Sequence, residues 1–174
     1  MKIDLKSPNV LNALNYDISD VKNRFMKEHG ISQSLTNQLE VELKRYLIIC
    51  SYSEGVCGMR GAVDDLWHTF VIFTKNYFDF CNKLCGKYIH HTPHIQGKTK
   101  NKIVAEEDNY SKFLNTYEVV FSQRPPKHIW PEPVKVFAEQ GCAGGCSNGG
   151  DCTDCTGGTT TSSDGWGNSD FNLN

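Results

Sequence analysis

Apolar positions recur at intervals of three and four residues in four stretches of the chain, and this spacing predicts four helices. The first is short. Val21, Phe25 and Met26 form an apolar stripe within VKNRFMKEHG, Asp17 or Ser19 can cap its start, and Gly30 supplies a stop. The second begins near SQSLTNQLEVELKRYLIICSY, in which Leu35, Leu39, Leu43, Tyr46, Leu47 and Cys50 share a face. Gly55, Gly58 and Gly61 then break the period and predict a compact turn around Cys57.

The third predicted helix covers residues 63–84, where stepping through the sequence at 100° per residue separates two sides. Trp67, Phe70, Val71, Phe73, Thr74, Tyr77, Phe78, Phe80, Cys81, Leu84 and Cys85 fall on one broad arc. Asp64, Asp65, His68, Lys75, Asn76, Asp79, Asn82 and Lys83 fall on the other, interrupted only by Ile72. Gly86 ends this helix, and the connector KYIHHTPHIQGKTKN contains Pro93 and Gly97, which oppose helix continuation. A fourth helix from about residue 104 to residue 121 carries Tyr110, Phe113, Leu114, Tyr117 and Val120 into the same core, before Pro125 and Pro126 close it. HIWPEPVKVF has two further prolines and reads as an ordered arm laid across the bundle. The expected fold is therefore all-α, a compact bundle of about four principal helices with a Pro-rich C-terminal arm.

Composition divides the chain in two. With 39% hydrophobic residues in 174, there is enough apolar material for one ordinary core. After Gln140 the sequence turns almost wholly small and polar, which predicts a helical domain over residues 1–138 and a flexible Gly/Cys/Ser/Thr-rich tail over residues 139–174. The 18 basic and 20 acidic residues leave a formal charge of -2, so no broad positive surface is available for a nucleic-acid backbone. The N-terminal residues lack the apolar core of a secretory signal, and no apolar run approaches the ~20 residues of a membrane span. A soluble, cytoplasmic protein is expected, with its eight cysteines mostly reduced.

Histidine and aspartate supply the most specific chemistry. Asp64 and Asp65 stand four and three residues before His68, a spacing that groups their side chains on one helical face. A carboxylate can fix the tautomer of an imidazole and leave its other nitrogen for a metal or a proton. If the connector folds back, His90, His91 or His94 can join the group, giving a mixed N/O set suited to zinc or iron. The competing readings are a structural hydrogen-bond network and, for the aspartates, simple stabilisation of a helix N-terminus. Trp67 reads as core, with a ring N–H that needs a partner. Among the body cysteines, Cys50, Cys81 and Cys85 follow the apolar pattern, whereas the glycine-rich turn can expose Cys57. In the tail, Cys142, Cys146, Cys152 and Cys155 number enough for an alternative tetrahedral zinc site.

VDDLWHTFVIFTKNYFDFC, GKYIHHTP and HIWPEP together resemble the body of the glycine-rich domain-containing protein family over approximately residues 35–133. The most specific parts are the Asp64, Trp67 and His68 group and the stretch from Tyr88 to Pro93; the Gly/Cys-rich C-terminus is similar to that of bacterial members. The resemblance implies a compact, mostly helical domain and supplies no reaction. Plant relatives carry extra regions associated with RNA binding, and this sequence has no RRM-like aromatic strand motif or basic segment of that kind. Three functional classes stay open: a metal-binding domain, a metal-dependent hydrolase or oxidoreductase, and a protein-interaction module without metal.

Overall fold

The computed structural model describes residues 3–53, 57–91 and 100–133, and all its regular elements are helices. They are α1 (Pro8–Leu14), α2 (Ser19–His29), α3 (Gln33–Tyr52), α4 (Ala62–Ile72), α5 (Thr74–Cys85) and α6 (Lys100–Phe121). No strand occurs among the described residues, and none of their helices is long and apolar enough to cross a membrane. The tail, the boundary near residue 138, His94 and the cysteines at 142, 146, 152 and 155 lie outside the described residues.

Helix α3 is the axis of the bundle, packing against all five of the others. Its buried side chains, among them Leu39, Leu43, Tyr46, Leu47, Ile48 and Ile49, point in several directions, as a helix enclosed by neighbours requires. The Ser32 hydroxyl caps its start by accepting from the Leu35 N–H at 3.3 Å. Gly30, with φ of 65°, ends α2 in the left-handed conformation that its lack of a side chain permits. Asp17 accepts from the backbone N–H of Ser19 at 2.9 Å where α2 begins.

Two features depart from the sequence expectation. Helix α1 is an additional element, begun by Pro8 in its first turn and burying Val10 and Ala13. It is fixed from outside its own sequence: the buried Lys44 ammonium donates to the carbonyls of Leu14 at 3.1 Å and Tyr16 at 2.6 Å, and to Glu40 at 2.7 Å. A cation thus satisfies orphan carbonyls at the end of α1 while tying it to α3.

The second departure is the division of the long helix expected over residues 63–84. Phe73 has φ of -78° and ψ of 63°, the angles of an inverse γ-turn, and separates α4 from α5. β-branched Val71, Ile72 and Thr74 surround it and weaken the local preference for helix. The break re-phases the second half of the stretch. Tyr77, Phe80, Cys81 and Leu84 are buried on α5, whereas Thr74 and Phe78, both expected on the apolar arc, are exposed.

Beyond α6, residues 122–133 are non-helical, and Ile129 and Trp130 are buried there. The Trp130 ring N–H donates to Glu42 at 2.7 Å and the Tyr110 hydroxyl donates to the Pro131 carbonyl at 2.7 Å. Glu42 also accepts from the Tyr117 hydroxyl at 3.0 Å and from Arg45 at 3.2 Å, so this buried carboxylate is satisfied by three different donors.

Candidate metal centre

Asp64 lies in the first turn of α4, where the positive end of the helix favours a carboxylate, and His68 comes one turn later on the same side. His91 reaches them from the segment after α5. A straight helix over residues 63–84 would carry the chain about 30 Å from Asp64, beyond the roughly 25 Å that the seven residues leading to His91 span when fully extended. The break at Phe73 removes that gap. It brings the Tyr77 hydroxyl within 3.0 Å of the Trp67 ring nitrogen, although ten residues separate them in the chain.

Tyr77 then acts as the bolt that positions His91. Its buried hydroxyl accepts from the Trp67 ring N–H and donates to the Ile89 carbonyl at 2.6 Å. Burial, with the neighbouring Cys81 as a smaller cause, pushes this hydroxyl well above the ordinary tyrosine value, so it remains a donor. Ile89 is buried, His90 exposed and His91 turned inward, in the alternation of an extended segment. The His91 ring stacks on Trp67 with centroids 4.1 Å apart and planes inclined by 30°. Trp67 is therefore both core and platform.

Three donor groups converge at this point. One ligand atom each from Asp64, His68 and His91 lies within 4.8 Å of the other two, a set able to hold a metal ion. The His91 Nε2 is 2.6 Å from the His68 Nε2 and 3.2 Å from Asp64 Oδ1. At 2.6 Å one imidazole must offer an N–H and the other its lone pair. Zinc ligated by both would set these nitrogens about 3.3 Å apart, so a modest opening of the rings exchanges a shared proton for a metal. Asp64 and the His91 side chain are largely shielded, whereas His68 faces solvent and leaves the site approachable.

Of the residues expected to contribute, the structure brings together Asp64, His68 and His91. Asp65 and His90 do not join them. Asp65 is exposed and its backbone carbonyl accepts from Thr69; His90 is exposed and its ring packs by Tyr88 at 5.1 Å. Tyr77 was legible only as core, although a tyrosine placed on an apolar face always raises the question of what its hydroxyl meets.

Residues 9–107, more than half of the chain, match the family model described as UCP032817-like. The chain belongs to this family. The match spans α4, α5 and all three residues of the Asp/His cluster, so the UCP032817-like region includes the candidate centre. No curated protein and no solved structure matches the chain.

Proposed function

We propose that this protein is a metal-binding helical domain in which Asp64, His68 and His91 hold a transition metal, zinc or iron. The supporting observation is the convergence of one carboxylate and two imidazoles on a common point. This donor set is borderline in softness and suits either metal. In this reading α4 supplies two ligands from a rigid helix, and Tyr77 fixes the third through the segment it anchors.

A second reading, a metal-dependent hydrolase or oxidoreductase, rests on the number and position of these groups. Three protein ligands leave coordination positions for water or substrate, and the solvent-facing His68 gives access to them. The third class, a protein-interaction module without metal, draws on the shared proton alone as the reason for the cluster. Kinship with glycine-rich domain-containing proteins and a cytoplasmic location complete the proposal, and the alternative place for the metal is the set Cys142, Cys146, Cys152 and Cys155 near the C-terminus.

Elemental analysis of the purified full-length protein and of His68→Ala tests the main reading. Near-stoichiometric zinc or iron, lost in His68→Ala with helicity retained, supports it. Metal retained in full by His68→Ala would move the site elsewhere, and folded protein without specific metal after exposure to either ion would end the proposal.

A further inference from the structure

Residues 58–61, the last of the connection between α3 and α4, form a short strap that α6 grips. Gly58 presses so closely on α6 that an added Cβ would lie 2.5 Å from the Tyr110 nitrogen, a backbone atom that cannot swing aside. Met59 is buried in the core. Arg60 pairs with Glu107, and its guanidinium lies 4.6 Å from the centre of the Tyr110 ring. Glu107 and Tyr110 are three residues apart and share one face of α6, so both hold the same side chain. Gly61, with φ of 72° and ψ of -162°, then turns the chain into α4 through a conformation that glycine alone adopts readily.

The strap leads directly into the turn that carries a ligand. The Gly61 carbonyl accepts from the Asp64 N–H at 2.9 Å, which makes Gly61 the foundation of the first turn of α4. That turn receives no side-chain cap, because its N-cap residue is a glycine. An uncapped helix end frays readily, and fraying here would carry Asp64 away from His68 in the next turn and from His91, 3.2 Å distant. Among the described residues α3 is the only helix that α6 packs against closely. Its shortest hold on Asp64 is therefore the strap, in which Arg60 stands four residues before the ligand. The Arg60 side chain is about one quarter exposed, so shortening it opens no cavity in the core.

We propose that Arg60 is a positioning residue for the centre of Asp64, His68 and His91: clamped to Glu107 and Tyr110, it holds the strap on α6 and does for the first turn of α4 what a capping side chain does elsewhere. The inference rests on the metal-binding reading above and adds to it a control point outside the cluster, on a helix that supplies no ligand. Release of the clamp frees the turn of Asp64, while His68, one turn further in, and His91, stacked on Trp67, keep their places. The centre then changes from three ready ligands to two, with the third recovered only when the turn re-forms. Metal affinity therefore falls while the stoichiometry is kept.

Cobalt(II) titration of full-length wild type, Arg60→Ala, Arg60→Lys and Glu107→Gln tests the clamp, with urea unfolding of the same proteins free of metal. Arg60→Ala should weaken cobalt binding roughly fivefold and Glu107→Gln roughly threefold, each with one equivalent still bound. Arg60→Lys, which keeps a cation opposite Glu107, should bind more tightly than Arg60→Ala. The double variant of Arg60→Ala with Glu107→Gln should bind no more weakly than Arg60→Ala, because both substitutions remove one contact. An Arg60→Ala protein that unfolds more readily yet keeps the wild-type cobalt affinity would overturn the proposal and leave the ion pair a purely structural role. If Arg60→Ala does not fold, Glu107→Gln, which preserves the size of its side chain, decides by the same comparison. Wild-type protein that binds no cobalt would overturn the metal-binding reading and this inference with it, whereas tight wild-type binding untouched by all three substitutions would defeat the clamp alone.

Discussion

Glu42 and Asp64 are both carboxylates on helices at the heart of polar clusters, yet their surroundings are opposites. Around Glu42 stand only donors: the Arg45 guanidinium, the Tyr117 hydroxyl and the Trp130 ring N–H. Burial and the Glu42 charge push the Tyr117 hydroxyl up to about 12, which keeps its proton available. Such a network is complete in itself and joins α3, α6 and the segment beyond. The Asp64 cluster instead adds two imidazole nitrogens, each able to accept, beside a carboxylate oxygen. Groups able to accept at one point need a donor between them, either an imidazole N–H or a bound metal ion. The kind of partner around a carboxylate, more than its burial, separates a structural staple from a binding site.

Removing the staple should produce the largest loss of stability. Glu42→Ala leaves Arg45, Tyr117 and Trp130 without their acceptor and should cost about 3–5 kcal/mol in urea unfolding. Metal bound per folded molecule should stay unchanged, which sharpens the contrast between the two clusters.

Tyr77→Phe should touch both stability and binding. The buried Trp67 N–H and the Ile89 carbonyl lose their common partner, a loss of about 1–3 kcal/mol, and His91 loses its anchor. Metal affinity should fall roughly tenfold by calorimetric titration while stoichiometry is kept, the pattern of a positioning residue.

A smaller effect is expected at Glu40, which accepts from Lys22 and Lys44. Burial pushes this carboxyl upward, but the two ammonium groups together win and hold it below its ordinary 4.5. Its contribution is therefore present above pH 4.5 and is lost as pH falls through the lowered folded value. Glu40→Gln should cost about 1 kcal/mol at neutral pH and flatten the acid limb of stability against pH, measured by denaturant unfolding.

Much of this contrast is legible in the sequence. Helical spacing places Asp64 and His68 on one side of a helix, and the apolar residues Tyr110, Phe113 and Tyr117 identify α6. Choosing His91 over His90 needs the anchoring of Ile89 by Tyr77, a contact across twelve residues that no local pattern encodes. The break at Phe73 involves neither proline nor glycine, and only a weak run of β-branched neighbours hints at it. Helix α1 escapes the sequence reading because Lys44, thirty residues from Leu14, supplies its final hydrogen bonds. Pro8 is the local signal that could have found its start.

His68→Ala should be the mildest change to the fold, within about 0.5 kcal/mol, because its side chain faces solvent. Its effect on binding should be the opposite, and cobalt(II) titration of the full-length protein measures it most directly. Ligation by Asp64, His68 and His91 predicts one equivalent of cobalt with visible d–d bands, no sulfur-to-cobalt charge-transfer band, weakening on acidification as the imidazoles protonate, and loss of the signal in His68→Ala. A thiolate charge-transfer band with an unchanged titration in His68→Ala would contradict the account and place the metal on cysteine.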